Sequence, residues 1–353
     1  MRTETKVQAV IALILAFVIG GTLLFLINFK GQDSPKKEDT GIAFTMNEGE
    51  SYSVLSFLRG REEAASHDLL MKLPKETDTS GITFENDPEG KVFSFSVPGI
   101  SKDYFRDFFM AGSKDPLSDI SFDYNEKQGT VNLFFKDFTE VSYSIDGNDL
   151  CFDYMTPKEY YDTVVVLDAG GGGMESGAVV SGIIEKDINL SIMKKLKETF
   201  SDEIASKKTG IYCTRKTDVY KSPEDRAAFS KAIDADLFLS IHCSSTASGR
   251  SSDFSGTRVL YRVTDESGLS KVFADICLSK LVESLSSKNR GVVAGDEDFL
   301  IRETAMPIAF CEIGYMTNED ELSKLVDDEY QNKAAEALHE AVIEMLSEEV
   351  HDE

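Results

Sequence analysis

A regular alternation of strand and helix patterns from Thr163 onward constrains the fold of this chain most. The β-branched run Val164–Leu167 indicates a short buried strand, and apolar residues four apart from Ile188 to Phe200 predict a helix. Further strands are predicted at Ile211–Thr214, Leu237–His242, Arg258–Tyr261 and Ile308–Ile313, and further helices from Ser222, over Ser267–Ser287 and over Asp328–Leu346. Such alternation predicts an α/β fold over residues 163–350, with a mixed, mainly parallel sheet covered by helices.

The preceding region, residues 41–155, has a period of two. Apolar residues alternate with polar ones in three stretches, around Phe93–Val97, Val131–Phe135 and Val141–Tyr154. The last stretch is interrupted by Asp146-Gly147-Asn148, a turn sequence typical of a β-hairpin. A small β-rich domain is therefore expected here, with one short helix around Lys102–Met110.

The first thirty residues have a different character. Val10–Ile27 is uncharged and almost wholly apolar, and as a helix it would span about 27 Å, close to the thickness of a bilayer core. A buried helix and a cleaved signal peptide are the alternatives, but no small-residue cleavage site precedes Lys30. We expect a cytoplasmic tail at residues 1–6, a single transmembrane anchor at 7–29 and a polar linker at 30–40. Basic residues flank the anchor on both sides, so charge alone does not set its orientation.

Charge excludes one class of partner. The chain has 62 acidic residues against 37 basic ones, a net charge of −25, whereas nucleic-acid binding requires clustered positive charge. No nucleic-acid partner is expected. The five cysteines are an odd number without a C-x-x-C pair, so a disulfide framework is not expected either.

The glycine loop Gly170–Gly173 does not match the known phosphate-binding loops. No lysine follows the glycines, as a P-loop requires, and no reading frame supplies the three glycines of a dinucleotide-binding turn. The loop nevertheless leaves the carboxyl end of a predicted strand, which is where open α/β sheets bind their ligands.

Three side chains elsewhere could converge with this loop. Glu185 precedes the first predicted helix, His242 ends a strand and Glu312 lies within another. Carboxylates and imidazoles are zinc ligands, and a further carboxylate can serve as general base. Two of the three also have a plain structural explanation: Glu185 as an acid favoured at the start of a helix, and His242 as a hydrogen-bonded histidine in the core. Glu312 is the hardest to explain in this way, because burying a lone carboxylate is costly.

The ordered segments of this region resemble a known family, the zinc-dependent N-acetylmuramoyl-L-alanine amidases that cut peptidoglycan. The resemblance rests on LDAGGGGMESGA, EKDINL, CTRKTD, EDRAAFSKAIDADLFLSIH, NRGV, LIRETAMP and EIGYMTNEDEL. It covers about Thr163–Leu346. More weakly, the β-rich region resembles the amidase-associated (AMIN-like) wall-targeting domain. Because such enzymes work outside the cytoplasmic membrane, the resemblance implies that the amino terminus lies inside and that the larger part of the chain faces the cell wall.

The resemblance also implies roles for individual residues. Glu185 and His242 match two ligands of a single zinc ion, Glu312 matches the catalytic base, and Arg302 is a candidate for substrate binding. The first family histidine does not match, because Gly171 stands in its place, and Ser244 replaces a common asparagine. Glu175, on the same loop, is a possible substitute ligand. On this alignment Gly171→His is expected to raise zinc affinity and amidase rate.

Three functions therefore remain open. The first is a membrane-anchored amidase with an altered metal site, which hydrolyses the amide between N-acetylmuramic acid and L-alanine. The second is a peptidoglycan-binding protein without catalysis that scaffolds or regulates cell-wall hydrolases. The third is a thiol hydrolase using Cys243 or Cys311, which strand alternation disfavours because these cysteines should face away from His242 and Glu312.

Overall fold

A computed structural model describes residues 42–43, 67–100, 110–112, 116–125 and 127–347. The predicted tail, anchor and linker at residues 1–40 lie outside these ranges. So does the predicted helix at Lys102–Met110, apart from Met110, which begins a short strand.

Before residue 156, the residues that the structure describes form two antiparallel sheets. Their strands are β1 (Ile42–Ala43), β2 (Leu69–Lys72), β3 (Thr83–Asp87), β4 (Val92–Pro98), β5 (Met110–Gly112), β6 (Leu117–Tyr124), β7 (Gln128–Phe135), β8 (Glu140–Asp146) and β9 (Asp149–Met155). One sheet has the order β1-β5-β2-β9-β8 and the other β3-β4-β7-β6. The inward residues of β4 and β7 alternate with polar ones and form a shared core with Leu150 and Phe152 of β9. The predicted hairpin is present, with Gly147 in the left-handed region at φ 58°.

The second region is built on a six-stranded sheet. Its strands are β10 (Thr163–Ala169), β13 (Thr209–Cys213), β14 (Leu237–Ser244), β15 (Thr257–Tyr261), β16 (Asn289–Ala294) and β17 (Ile308–Tyr315), in the order β13-β10-β14-β17-β15-β16. All neighbours are parallel except β15 and β17, which are antiparallel. The predicted mixed, mainly parallel sheet is therefore confirmed. The small hairpin β11 (Val179–Val180) and β12 (Ile183–Ile184) lies after the glycine loop.

Helices cover this sheet. They are α1 (Pro157–Tyr160), α2 (Glu185–Thr199), α3 (Ser201–Ala205), α4 (Pro223–Ala232), α5 (Leu269–Leu285), α6 (Phe299–Glu303), α7 (Glu319–Leu325) and α8 (Asp328–Met345). Helices α2, α5 and α8 pack on the face that carries Leu239, Ile241 and Cys243. Helices α4 and α6 pack on the opposite face, with Phe238. Because side chains alternate along β14, His242 lies on the second face and Cys243 on the first.

In the part of the chain that the structure describes, no helix combines the length and apolarity needed to cross a bilayer.

Candidate functional site

The glycine loop passes directly over His242. A side chain at Gly170 would place its Cβ 2.0 Å from the His242 Cε1 atom, so only glycine permits this approach. Gly171, Gly172 and Gly173 all have positive φ angles. The loop therefore depends on glycine both for its turn and for its contact with the imidazole.

A buried ion pair holds the start of the loop. Asp168 at the end of β10 is fully buried, and its carboxylate pairs with Arg226 of α4. Arg226 also donates to the carbonyl of Ala169 at 2.9 Å and to that of Gly171 at 2.7 Å. Burial raises the pKa of Asp168, but the Arg226 charge and neighbouring hydroxyl donors outweigh burial and lower it. Asp168 is thus a structural anion that fixes the backbone of the loop.

Glu185 is the first residue of α2, and both of its carboxylate oxygens accept hydrogen bonds from the protein. Oε2 accepts from the backbone N–H of Ala178 at 2.8 Å, and Oε1 accepts from the backbone N–H of Cys243 at 3.2 Å. Oε1 is also 3.3 Å from His242 Nδ1. Burial alone would raise the pKa of Glu185. The hydrogen bond with His242, the electrostatic effect of His242 and the two backbone N–H donors outweigh burial, so the pKa is lowered.

His242 is brought against Glu185 as the sequence predicts. Its ring stacks on Phe310, with ring centroids 3.9 Å apart and an angle of 16° between the planes. Phe310 and Glu312 lie two residues apart on β17 and therefore on the same face of the sheet. In the register of β14 and β17, His242 is the direct partner of Glu312. The structure thus places Glu185, His242 and Glu312 around one region of the sheet.

Glu312 is paired with a residue that the sequence analysis did not single out. Arg258, its direct partner on β15, donates Nε to Oε2 and Nη2 to Oε1, the second bond at 3.0 Å. The Glu312 side chain is 12% exposed and that of Arg258 is 36% exposed, so the carboxylate is largely shielded while the guanidinium also reaches solvent. A signal was available: Arg258 opens an otherwise apolar predicted strand, and a cation in such a strand needs a buried partner.

The residues present do not fit the three-ligand zinc site that the family resemblance implies. Zinc sites in proteins use at least three protein ligands, and among the described residues no three His, Cys, Asp or Glu side chains form a possible metal cluster. Glu175, the possible substitute, is exposed and does not complete such a group. At Gly171 φ is +70°, and a Cβ there would be 2.8 Å from the Glu175 carbonyl oxygen.

The two candidate nucleophilic cysteines face away from the site. Cys243 and Cys311 both lie in the core on the α2 side of the sheet, opposite to His242 and Glu312. Burial, with nearby carboxylates, raises the pKa of the Cys243 thiol well above its ordinary value. A thiolate nucleophile at either position is not supported.

Arg302 lies on α6, which precedes the amino end of β17. It pairs with Glu303 at 3.1 Å and donates to the carbonyl of Asp296 at 3.1 Å. His242 and Glu312 lie further toward the carboxyl ends of their strands. The proposed role of Arg302 in substrate binding stays a prediction.

The sequence of this region matches that of a known protein family. The sequence profile described as N-acetylmuramoyl-L-alanine amidase matches residues 165–344. The uncharacterized protein YqiI of Bacillus subtilis is 38% identical over 178 residues, which are 49% of this chain and 80% of that protein. The N-acetylmuramoyl-L-alanine amidase LytC of the same organism is 31% identical over 179 residues, 51% of this chain but only 34% of LytC.

Among solved structures, the catalytic domain of the amidase CwlV from Bacillus (Paenibacillus) polymyxa var. colistinus is similar to this chain. It is 31% identical, with a TM-score of 0.48, and the match covers 52% of this chain and 98% of that domain.

Proposed function

This chain belongs to the N-acetylmuramoyl-L-alanine amidase family of cell-wall hydrolases, and on that premise we propose that it binds peptidoglycan without hydrolysing it. The ligand would be a glycan strand with its peptide stem, held where the glycine loop meets the carboxyl ends of β10, β14 and β17. Open α/β sheets bind ligands at such strand ends.

The proposal rests on the number of side chains that could bind a zinc ion at this site. Glu185 and His242 are the only matched zinc donors, and glycine occupies the third position. Both oxygens of Glu185 accept a hydrogen bond from a backbone N–H, which orients the carboxylate but supplies no third ligand. A zinc ion with two protein ligands would be held far more weakly than one with three, since each ligand contributes to binding.

The pairing of Glu312 supports the same conclusion. A general base must be free to accept a proton from the attacking water. Both oxygens of Glu312 instead accept hydrogen bonds from the guanidinium of Arg258, so two of the roughly four acceptor sites of the carboxylate are occupied by the protein.

One observation favours a second candidate function, hydrolysis of the amide between N-acetylmuramic acid and L-alanine. Glu185 and His242 still meet at 3.3 Å beside the glycine loop, and Glu312 is the strand partner of His242. A ligand that displaced Arg258 would free the carboxylate. Catalysis would then need a metal held more tightly than two donors allow.

A joint measurement of zinc, cleavage and binding separates the two functions. The purified protein is equilibrated with zinc, its metal content is determined, and release of L-alanine amino groups from purified peptidoglycan is followed. Binding of a soluble N-acetylmuramoyl peptide is measured by calorimetry. We expect binding without cleavage and with zinc well below one ion per chain. Cleavage with one zinc per chain would establish the hydrolase instead, and absence of both binding and cleavage would defeat both functions.

Two histidine variants provide a matched pair for the binding measurement. His242→Ala removes the imidazole beside the glycine loop and is expected to weaken binding of the peptide. His339→Ala removes an imidazole that bonds to Glu203 on the opposite side of the sheet, and binding should be unchanged. Equal effects of the two substitutions would place the binding surface elsewhere.

We also propose that the protein is anchored in the cell membrane by residues 7–29, with its amino terminus inside. The support is the uncharged apolar run Val10–Ile27 and the location of peptidoglycan outside the membrane. In this setting a non-hydrolysing member would scaffold or regulate cell-wall hydrolases. Carbonate extraction of cell membranes, followed by protease treatment of intact spheroplasts, tests anchoring and orientation together.

A further inference from the structure

The β3–β4 turn, taken here as residues 87–91 from the last residue of β3, carries two acidic side chains that reach the α/β region. The Nζ of Lys216 donates to Asp87 and, at 3.3 Å, to Glu89 Oε2. Glu89 Oε1 accepts from the backbone N–H of Cys213 at 3.1 Å and from Lys197 at 3.4 Å. The Glu89 side chain is 10% exposed, so solvent screens its bonds less than it screens the pair between Lys216 and Asp87, whose side chains are each 44% exposed.

The strand that Glu89 contacts is at the edge of the six-stranded sheet. Edge strands present backbone N–H groups without strand partners, and proteins cover them in various ways. Here the carboxylate of Glu89 satisfies the N–H of Cys213, the last residue of β13. The β3–β4 turn therefore docks where β13 ends and the following segment begins.

Arg215, the residue next to Lys216, donates hydrogen bonds to the start of the glycine loop. Arg215 is 2% exposed, and its guanidinium donates to the carbonyl of Ala169 at 2.8 Å and to that of Gly170 at 3.0 Å. It also donates to the carbonyl of Lys186 at 2.8 Å. Arg215 thus ties the first residues of the loop to the first turn of α2.

The same segment holds the far side of the loop through Asp218. One oxygen of Asp218 accepts from the backbone N–H of Gly173 at 2.8 Å, and the other accepts from Lys186 Nζ at 2.6 Å. Lys186 in turn donates to the carbonyl of Gly173 at 2.8 Å. A Cβ at Gly172 would be 2.2 Å from the carbonyl oxygen of Val219, so the loop and the segment are in direct backbone contact.

We propose that the β3–β4 turn positions the glycine loop through the segment Thr214–Val219. Lys216 faces the turn, whereas Arg215 and Asp218 face the loop, so one short segment carries both contacts. Undocking the turn would release the segment and, with it, the loop over His242. The β-rich region is then a structural part of the site and more than a separate targeting module. This inference does not depend on whether the site binds peptidoglycan.

Charge reversal at Lys216 tests the proposal without any ligand. Lys216→Glu puts a carboxylate beside Asp87 and Glu89, and repulsion should undock the turn. In hydrogen–deuterium exchange of the full chain, amides at 170–177 should exchange roughly tenfold faster, together with those of the turn. Lys216→Glu combined with Asp87→Lys restores an ion pair and should restore protection.

A matched charge reversal supplies the control. Lys271→Glu reverses a lysine that pairs with Asp275 along α5, and the loop should keep its protection. Faster exchange in the turn with an unchanged loop would overturn the proposal, as would unchanged exchange in both. Loosening that appears equally in the Lys271 variant, or that the paired substitution does not reverse, would indicate general destabilisation and would also overturn it.

Discussion

At the scale of single residues, Gly171 is both the departure from the family motif and a backbone requirement. Its φ of +70° lies in the left-handed region, and a Cβ would be 2.8 Å from the Glu175 carbonyl oxygen. A non-glycine residue there costs about 1–2 kcal/mol in backbone strain alone. That Gly171→His raises zinc affinity and amidase rate stays a prediction, and the geometry adds that the loop must shift to admit the new side chain.

We predict that Gly171→His lowers the free energy of unfolding by about 1–2 kcal/mol in the absence of zinc. Gly171→Ala is the matched control, since it adds the same Cβ without a metal donor. Urea unfolding with and without zinc separates the two effects: zinc should recover stability for the histidine variant alone. If alanine costs nothing, the left-handed conformation at this position is wrong.

Arg258 provides the second prediction at this scale. Its removal leaves the Glu312 carboxylate, 12% exposed, without its two charged donors, and an unsatisfied buried acceptor costs about 1–3 kcal/mol. We predict that Arg258→Ala destabilises the protein by this amount in urea unfolding. In the double variant with Glu312→Gln the loss should be smaller than the sum of the two single losses. Strict additivity would show that the ion pair contributes nothing.

At the scale of elements, the start of α5 depends on a carboxylate that lies before the helix. Asp265 accepts from the backbone N–H of Ser270 at 2.8 Å and from that of Ser267 at 3.1 Å. Burial raises the pKa of Asp265, but the bonds from these two serines outweigh burial and lower the pKa to about 2. Asp265 thus caps a helix whose own N-cap position is Gly268, which has no side chain to do so.

The stability that this cap contributes depends on pH, because folding lowers the pKa of Asp265. A carboxyl whose folded pKa lies below its unfolded value of 3.8 stabilises the protein above that value. The contribution is lost as the pH falls toward about 2. We predict that Asp265→Ala costs about 1–2 kcal/mol at pH 7 and that the difference from the native protein shrinks between pH 4 and pH 2. Asp275→Ala, on the exposed face of the same helix, serves as control. A difference independent of pH would contradict the capping role.

Buried elements could be predicted from the sequence, whereas exposed ones could not. Strands β10, β14 and β17 are apolar runs, and the helix with the Ile188 stripe has a clear buried face. Strand β16 (Asn289–Ala294) is an edge strand with no fully buried residue, so its sequence carries no alternation to detect. The short helix α6 likewise spans too few residues to show a period.

In the candidate site, too, one part could be predicted from the sequence and another could not. Glu185, His242 and Glu312 could be placed together because strand ends converge in a parallel sheet. The pairing of Arg258 with Glu312 depends on the antiparallel register of β15 against β17, which links residues far apart in sequence. No local pattern encodes that register.

At the scale of the whole molecule, the β-rich and α/β regions share a buried polar contact. Glu140 of β8 is 2% exposed, and its carboxylate accepts from the hydroxyl of Tyr212 on β13 and from Asn86 at 2.6 Å. Burial raises the pKa of Glu140 despite these bonds. Nearby, Phe138 and Phe229 meet edge to face at 5.2 Å between ring centroids. The sequence predicts separate domains at residues 41–155 and 163–350, and we expect contacts of this kind to couple their stabilities.

The last prediction tests this coupling. Tyr212→Phe keeps the ring in the core but removes the hydroxyl donor, which leaves one oxygen of the buried Glu140 carboxylate short of a partner. We expect a loss of about 1–3 kcal/mol, and probes in both regions should report it equally, as a single cooperative unfolding transition requires. Tyr143→Phe, on the same strand as Glu140 but 47% exposed, should change stability little. Two separate transitions in the native protein, with Tyr212→Phe affecting one of them alone, would show that the regions fold independently.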